Sequence, residues 1–117
     1  MAGSMGRVNL GISQDGYAWT NKELPGTSSG GPGGMGQYVV GFGGGDWLVA
    51  CSSGGMATAP RIFRSSDGGE TWNELIDVSF PGSISGYPAE PLAHSQGTWF
   101  LQLGSSIYAS TDRGSTW

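Results

Sequence analysis

Apolar positions along this chain come in short runs, and glycine or serine closes almost every one. "VNLGI" (Val8–Ile12), "QYVVGF" (Gln37–Phe42), "WLVAC" (Trp47–Cys51), "RIFR" (Arg61–Arg64), "WFLQL" (Trp99–Leu103) and "SIYA" (Ser106–Ala109) are rich in β-branched and aromatic residues. That pattern predicts strands. No long run of Ala, Leu, Glu and Lys carries a 3.6-residue period, so no helix is expected. Two longer stretches, Gln37–Cys51 and Glu90–Leu103, each read as strand, glycine turn, Trp-led strand. The fold class expected is all-β.

A second pattern organises the runs. "SSDGGETW" (Ser65–Trp72) and "STDRGSTW" (Ser110–Trp117) both fit Ser-x-Asp-x-Gly-x-Thr-Trp, with Ser65, Asp67, Gly69, Thr71 and Trp72 answering Ser110, Asp112, Gly114, Thr116 and Trp117. "SQDGYAW" is one residue shorter; it keeps Ser13, Asp15, Gly16 and Trp19 and has Ala18 in the Thr place. Each copy, here called a box, follows a strand-like run. The boxes recur at roughly 40–50 residues, the length of a propeller blade. Each unit reads strand, glycine turn, Trp-led strand, loop, strand, box, strand, which is a four-stranded antiparallel meander.

The motif resembles the Asp box, or bacterial neuraminidase repeat, of sialidases, sortilin-type receptors, photosystem assembly factors and many phage and bacterial surface proteins. The resemblance implies β-propeller blades. It implies less about function, because that family hosts many functions. Residues 1–117 are expected to form one segment of about two to two and a half blades, with boundaries near 25–37 and 77–91. That is an incomplete ring, with a strand pair, one full blade and three strands of another.

The chemistry of the box favours structure over catalysis. A tight reversal needs a residue at positive φ, which Gly69 and Gly114 supply at little cost. Ser and Asp oxygens can accept the turn's N–H groups, and the tryptophan can bury a ring beneath the turn. A calcium loop would need several oxygen ligands at alternating positions, whereas each box offers one carboxylate. No metal and no cofactor is expected.

Composition narrows the remaining classes. Net charge is −4 with five Lys and Arg, too few cations for a nucleic-acid surface or an anionic membrane. Charged residues are 12% of the chain, about half the usual ~25%. Cys51 stands alone, so no disulfide can form within the chain, and in "WLVACSS" it reads as a small buried hydrophobe. No apolar run reaches membrane-spanning length, and no signal peptide is visible.

Enzyme readings find little support. By resemblance a sialidase needs three arginines on the substrate carboxylate, a Tyr–Glu nucleophile pair and an Asp acid/base. Arg64 and Arg113 adjoin or sit in boxes, leaving Arg7 and Arg61. His94 has no neighbouring Cys or carboxylate at metal-ligand spacing, and Gly-x-Ser-x-Gly is absent. "PGTSSGGPGGMGQ" (Pro25–Gln37) lacks the ending of a P-loop and reads as a connection. The second connection, Asp77–Pro91, carries Phe80 and Tyr87, aromatics that could stack on a sugar or a partner. They are the candidate binding surface.

The expected function is a non-catalytic structural or recognition module of a phage virion (tail or fibre) or similar surface assembly. The alternatives are a fragment of a sialidase-like glycoside hydrolase and a protein-binding assembly factor. Expected partners are other copies or other parts of a larger assembly, with glycan as a further ligand, and no nucleic acid or membrane insertion. The expected location is a virion or an extracellular surface.

Overall fold

The structure is a computed structural model and describes residues 9–24, 38–51, 60–81 and 88–117. Among these residues there are nine strands and no helix. A first sheet holds β1 (Asn9–Ile12) and β2 (Thr20–Glu23). A central sheet runs β3 (Tyr38–Gly43), β4 (Asp46–Cys51), β5 (Arg61–Ser65), β6 (Asn73–Glu74). A third holds β7 (Pro88–Ser95), β8 (Thr98–Leu103) and β9 (Ser106–Ser110). Neighbouring strands within each sheet are antiparallel and consecutive in the chain. The chain is therefore all-β, as its short apolar runs between glycines and serines predict. The chain changes sheet between Glu23 and Tyr38 and between Glu74 and Pro88; residues 25–37 and 82–87 of the two expected boundaries lie outside the described residues.

Two sheets repeat one register. Trp47 of β4 pairs with Ser65, and Trp99 of β8 pairs with Ser110. In both cases a Trp-led strand lies beside the strand that ends in the first serine of a box. In β7 the register slips between Ala89 and Ala93, the stretch containing Pro91, which has no N–H to give the ladder.

The sheets stack in chain order. Val39, Leu48, Ala50 and Ile62 of the central sheet meet Leu92, Trp99, Leu101 and Leu103 of the third in one buried cluster. The opposite face of the central sheet uses the alternate residues Val49, Cys51 and Phe63, which pack with Leu24, Leu10 and Trp72. Strand β4 is thus buried from both sides, and its near-continuous apolar sequence follows from that. The central and third sheets come closest at β3 and β7. A Cβ on Gly41 would overlap the Leu92 carbonyl oxygen, and one on Gly43 would overlap His94. Beyond the glycine turns, Ser79 forms a parallel bridge with Thr116. Ser79 N–H donates to the Ser115 carbonyl (3.3 Å) and the Trp117 N–H to the Ser79 carbonyl (3.0 Å).

Candidate functional site

The three boxes carry most of the polar side-chain chemistry of the described residues. In the second box, Ser65 is buried at the end of β5. Its hydroxyl donates to Asp67 Oδ1 (2.7 Å) and accepts the Gly69 N–H (2.9 Å). Asp67 Oδ1 also accepts the Thr71 N–H (2.9 Å), while Oδ2 accepts the Thr71 hydroxyl. Trp72 closes the turn by donating its indole N–H to the Gly69 carbonyl (2.8 Å). The third box repeats every bond. Ser110 Oγ donates to Asp112 Oδ1 (2.8 Å) and accepts the Gly114 N–H (2.9 Å). Asp112 takes Thr116 N–H at 2.8 Å and the Thr116 hydroxyl at 2.6 Å, and Trp117 Nε1 lies 2.8 Å from the Gly114 carbonyl.

These bonds set the carboxylates' ionisation. The Thr71 hydroxyl, followed by the Thr71 N–H and the Ser65 hydroxyl, holds the Asp67 pKa down to about 2. Thr116 does the same for Asp112, also to about 2. Hydrogen bonds to the ionised form favour it. Such a group stays a carboxylate with both oxygens engaged, a poor starting point for a general acid.

The first box differs. The missing residue lets Ser13 Oγ reach the Gly16 N–H (2.7 Å), and Asp15 Oδ1 accepts the N–H groups of Tyr17 (2.8 Å) and Ala18 (3.0 Å). These two backbone donors, Ala18 first, lower the Asp15 pKa. Ala18 has no hydroxyl to offer Oδ2. Trp19 is 65% exposed, where Trp72 and Trp117 are half-buried.

The boxes sit against the sheet before them. A Cβ on Gly69 would press on Ile12 of β1, and one on Gly114 on Leu48 of β4. Both glycines have φ of +94°, so a side chain there meets both strain and a neighbour. Arg113, in the third box, holds φ at +64°. Its guanidinium grips Asp46 at the start of β4 (Nε–Oδ2 2.7 Å, Nη2–Oδ1 3.0 Å) and donates to Ser66 Oγ (3.0 Å), which itself donates to Asp46 Oδ1 (2.7 Å). Asp46 is 4% exposed, and its pKa is lowered chiefly by that arginine. The sequence pattern did not point to this cluster. The one local signal was Arg113 standing where the other boxes have Gly16 and Gly68.

The other sequence candidates are dispersed. Phe80 is half-buried, stacked on Trp117 (centroids 5.7 Å) and edge-on to Tyr108 (5.4 Å). Tyr87 and Arg7 lie outside the described residues. Arg61 is held by Glu74 through two bonds (2.8 and 2.7 Å), and Arg64 donates to the Arg113 carbonyl (3.1 Å). His94 is half-buried, edge-on to Trp99 (5.0 Å). Burial pushes the Cys51 thiol up to about 12, so it is no nucleophile at neutral pH. Among the described residues, no three His, Cys, Asp or Glu gather as metal ligands would. A cleft of about 320 Å³ opens between the first and central sheets, walled by Trp19, Trp47 and Trp72.

Among family models, curated proteins and solved structures, nothing matches the chain. The functional reading therefore rests on the internal repeat and its geometry.

Proposed function

We propose that this chain is a segment of an Asp-box β-propeller that serves as a non-catalytic structural and recognition module in a virion or extracellular surface assembly. One observation carries the reading. Both oxygens of Asp67 and of Asp112 are engaged by their own turns, so the signature carboxylates act as turn staples. The shared pairing of Trp47 with Ser65 and Trp99 with Ser110 fits successive blades of one meander. The close approach of first strands β3 and β7 fits blades that converge on an axis.

Protein recognition is favoured over glycan recognition. Tyr38, Val40 and Phe42 form an exposed apolar stripe on β3, a surface that suits a partner polypeptide. Two assays test the reading. A fluorogenic sialoside incubated with the chain should show no turnover. The chain on a glycan array should show no discrete sugar specificity. Turnover abolished by Arg61→Ala would instead establish the glycosidase, and tight binding to one glycan class would establish a lectin.

A further inference from the structure

Trp19, Trp47 and Trp72 come from the first box, β4 and the second box, and they meet around one cleft of about 320 Å³. That is the small end of the range for ligand cavities. Trp72 commits its indole N–H to the Gly69 carbonyl (2.8 Å), so what it offers the cleft is ring. Trp47 is half-buried, with Phe42 beside it (centroids 4.8 Å). Trp19 is 65% exposed and lies along Gly11, where a Cβ would come 3.5 Å from its ring. Ser13 also lines the cleft, but its hydroxyl serves its own turn, accepting the Gly16 N–H (2.7 Å) and donating to Asp15 Oδ1 (3.2 Å). A second hollow of about 210 Å³ adjoins, sharing Ile12 with the first, and Asp15 and Glu70 stand in its wall. Asp15 differs from the other box carboxylates. Its Oδ1 takes the N–H groups of Tyr17 and Ala18, but Ala18 has no hydroxyl for Oδ2, the oxygen that Thr71 and Thr116 fill in their boxes. Those backbone bonds lower its pKa and keep it ionised at neutral pH. Lys22 lies 3.5 Å from Glu70, so two carboxylates against one ammonium leave this hollow negative.

We infer that the cleft walled by Trp19, Trp47 and Trp72 binds a trimethylammonium group, which Asp15 and Glu70 attract from the adjoining hollow. The indole face carries negative potential and is the best aromatic partner for a cation. A trimethylammonium has no N–H to satisfy, so it leaves water for an aromatic wall more easily than a lysine ammonium, which needs acceptors for three donors. A sugar fits these walls less well. Its hydroxyls would lose water against tryptophan and aliphatic side chains, with the Ser13 hydroxyl already engaged, and unmade hydrogen bonds are costly. An anionic ligand would meet the field of Asp15 and Glu70.

The inference goes beyond the recognition role proposed above and does not depend on it, since it rests on the cleft and its charged neighbour alone. The same chemistry reaches the cleft from two sources, a free small molecule such as choline or the headgroup of a choline lipid, and the experiment separates them.

The probe is choline chloride, titrated into the chain while the indole N–H signals are followed by NMR. The signals of Trp19, Trp47 and Trp72 should shift together and saturate, while those of Trp99 and Trp117 stay still. The neutral alcohol in which carbon replaces the choline nitrogen should bind about tenfold more weakly, because only the cation–π attraction is lost. Trp19→Leu, at an exposed position, should weaken choline binding about tenfold with unchanged circular dichroism, and Trp19→Phe should restore most of it. Asp15→Asn combined with Glu70→Gln should weaken it about threefold. Phosphatidylcholine vesicles that sediment with the chain would assign the lipid headgroup as the source, and choline binding without sedimentation the free molecule; either outcome supports the inference. It is overturned if the folded chain shows no saturable binding, if the neutral alcohol binds as well as choline, or if Trp19→Leu binds as wild type does. It is equally overturned if a simple methyl glycoside shifts the same three indoles at lower concentration than choline, since the cleft would then be a sugar site.

Discussion

Arg113 reaches back across the sheet boundary to Asp46, with its Nε 2.7 Å from Oδ2 and its Nη2 3.0 Å from Oδ1. The third box is thereby fastened to the β3–β4 turn and, through Ser66, to the second box. Two effects oppose at this residue. The ion pair favours arginine, while φ of +64° disfavours any side chain by roughly 1–2 kcal/mol. Arg113→Ala keeps the strain and loses the pair, so it should destabilise by about 1 kcal/mol. Arg113→Gly loses both and should fall closer to wild type. Urea midpoints of the two variants check the order.

Ser65→Ala and Ser110→Ala should each destabilise by roughly 1–3 kcal/mol. Each removes the acceptor of a buried glycine N–H and a donor to the box aspartate. Ser13→Ala should cost less, because its turn is exposed and water can replace the hydroxyl. Chemical denaturation of the three variants measures the difference.

Acid should loosen the boxes in a defined window. The pKa of Asp67 and of Asp112 is depressed to about 2 in the fold, against ~3.9 in an unfolded chain. The unfolded state therefore binds protons first as pH falls. The stabilisation from these groups is whole above pH ~5, declines below ~4 and is gone once pH passes below about 2. Unfolding midpoints across that range should show the decline, and Asp67→Asn combined with Asp112→Asn should flatten it.

Gly41→Ala should destabilise by roughly 1–3 kcal/mol. The new methyl meets a backbone carbonyl, at Leu92, which cannot swing aside, and it also crowds Trp99. Gly97→Ala is the contrast: open space surrounds that position, and only its φ of +85° resists the change. Thermal unfolding of both separates sheet contact from turn strain.

Cys51 should resist thiol reagents in the native chain. It is 1% exposed with a pKa raised to about 12. A chromogenic disulfide added at neutral pH should give no prompt release, then one equivalent after denaturant is added. Prompt reaction would mean that the seam between the first and central sheets opens readily.

What the sequence made legible was local. Strand positions followed from apolar alternation cut by glycine, since hairpin partners such as Val40 and Val49 are near neighbours in the chain. Within a box, hydrogen-bonded residues lie within four positions of each other, so residue types alone indicate which atoms can meet. Contacts between sheets carry no such mark. Nothing about Asp46 announces an arginine near the end of the chain, and the glycines at 41 and 43 look like turn punctuation until Leu92 and His94 are seen against them. The exposure of Trp19, at 65%, carries no mark in a box that otherwise matches.

The two seams of the stack are unequal. Among the described residues, eight buried ones and a charged clasp hold the faces of the central and third sheets together. Between the first and central sheets, the described residues show a buried cluster of Leu24, Val49, Cys51 and Phe63 and a surface contact of Lys22 with Glu70 at 3.5 Å. Under mechanical load or limited proteolysis the chain would part at the second seam, peeling β1 and β2 away as a unit. Val49, Cys51 and Phe63 would then face water while the rest of the stack held, so the molecule would fail in steps.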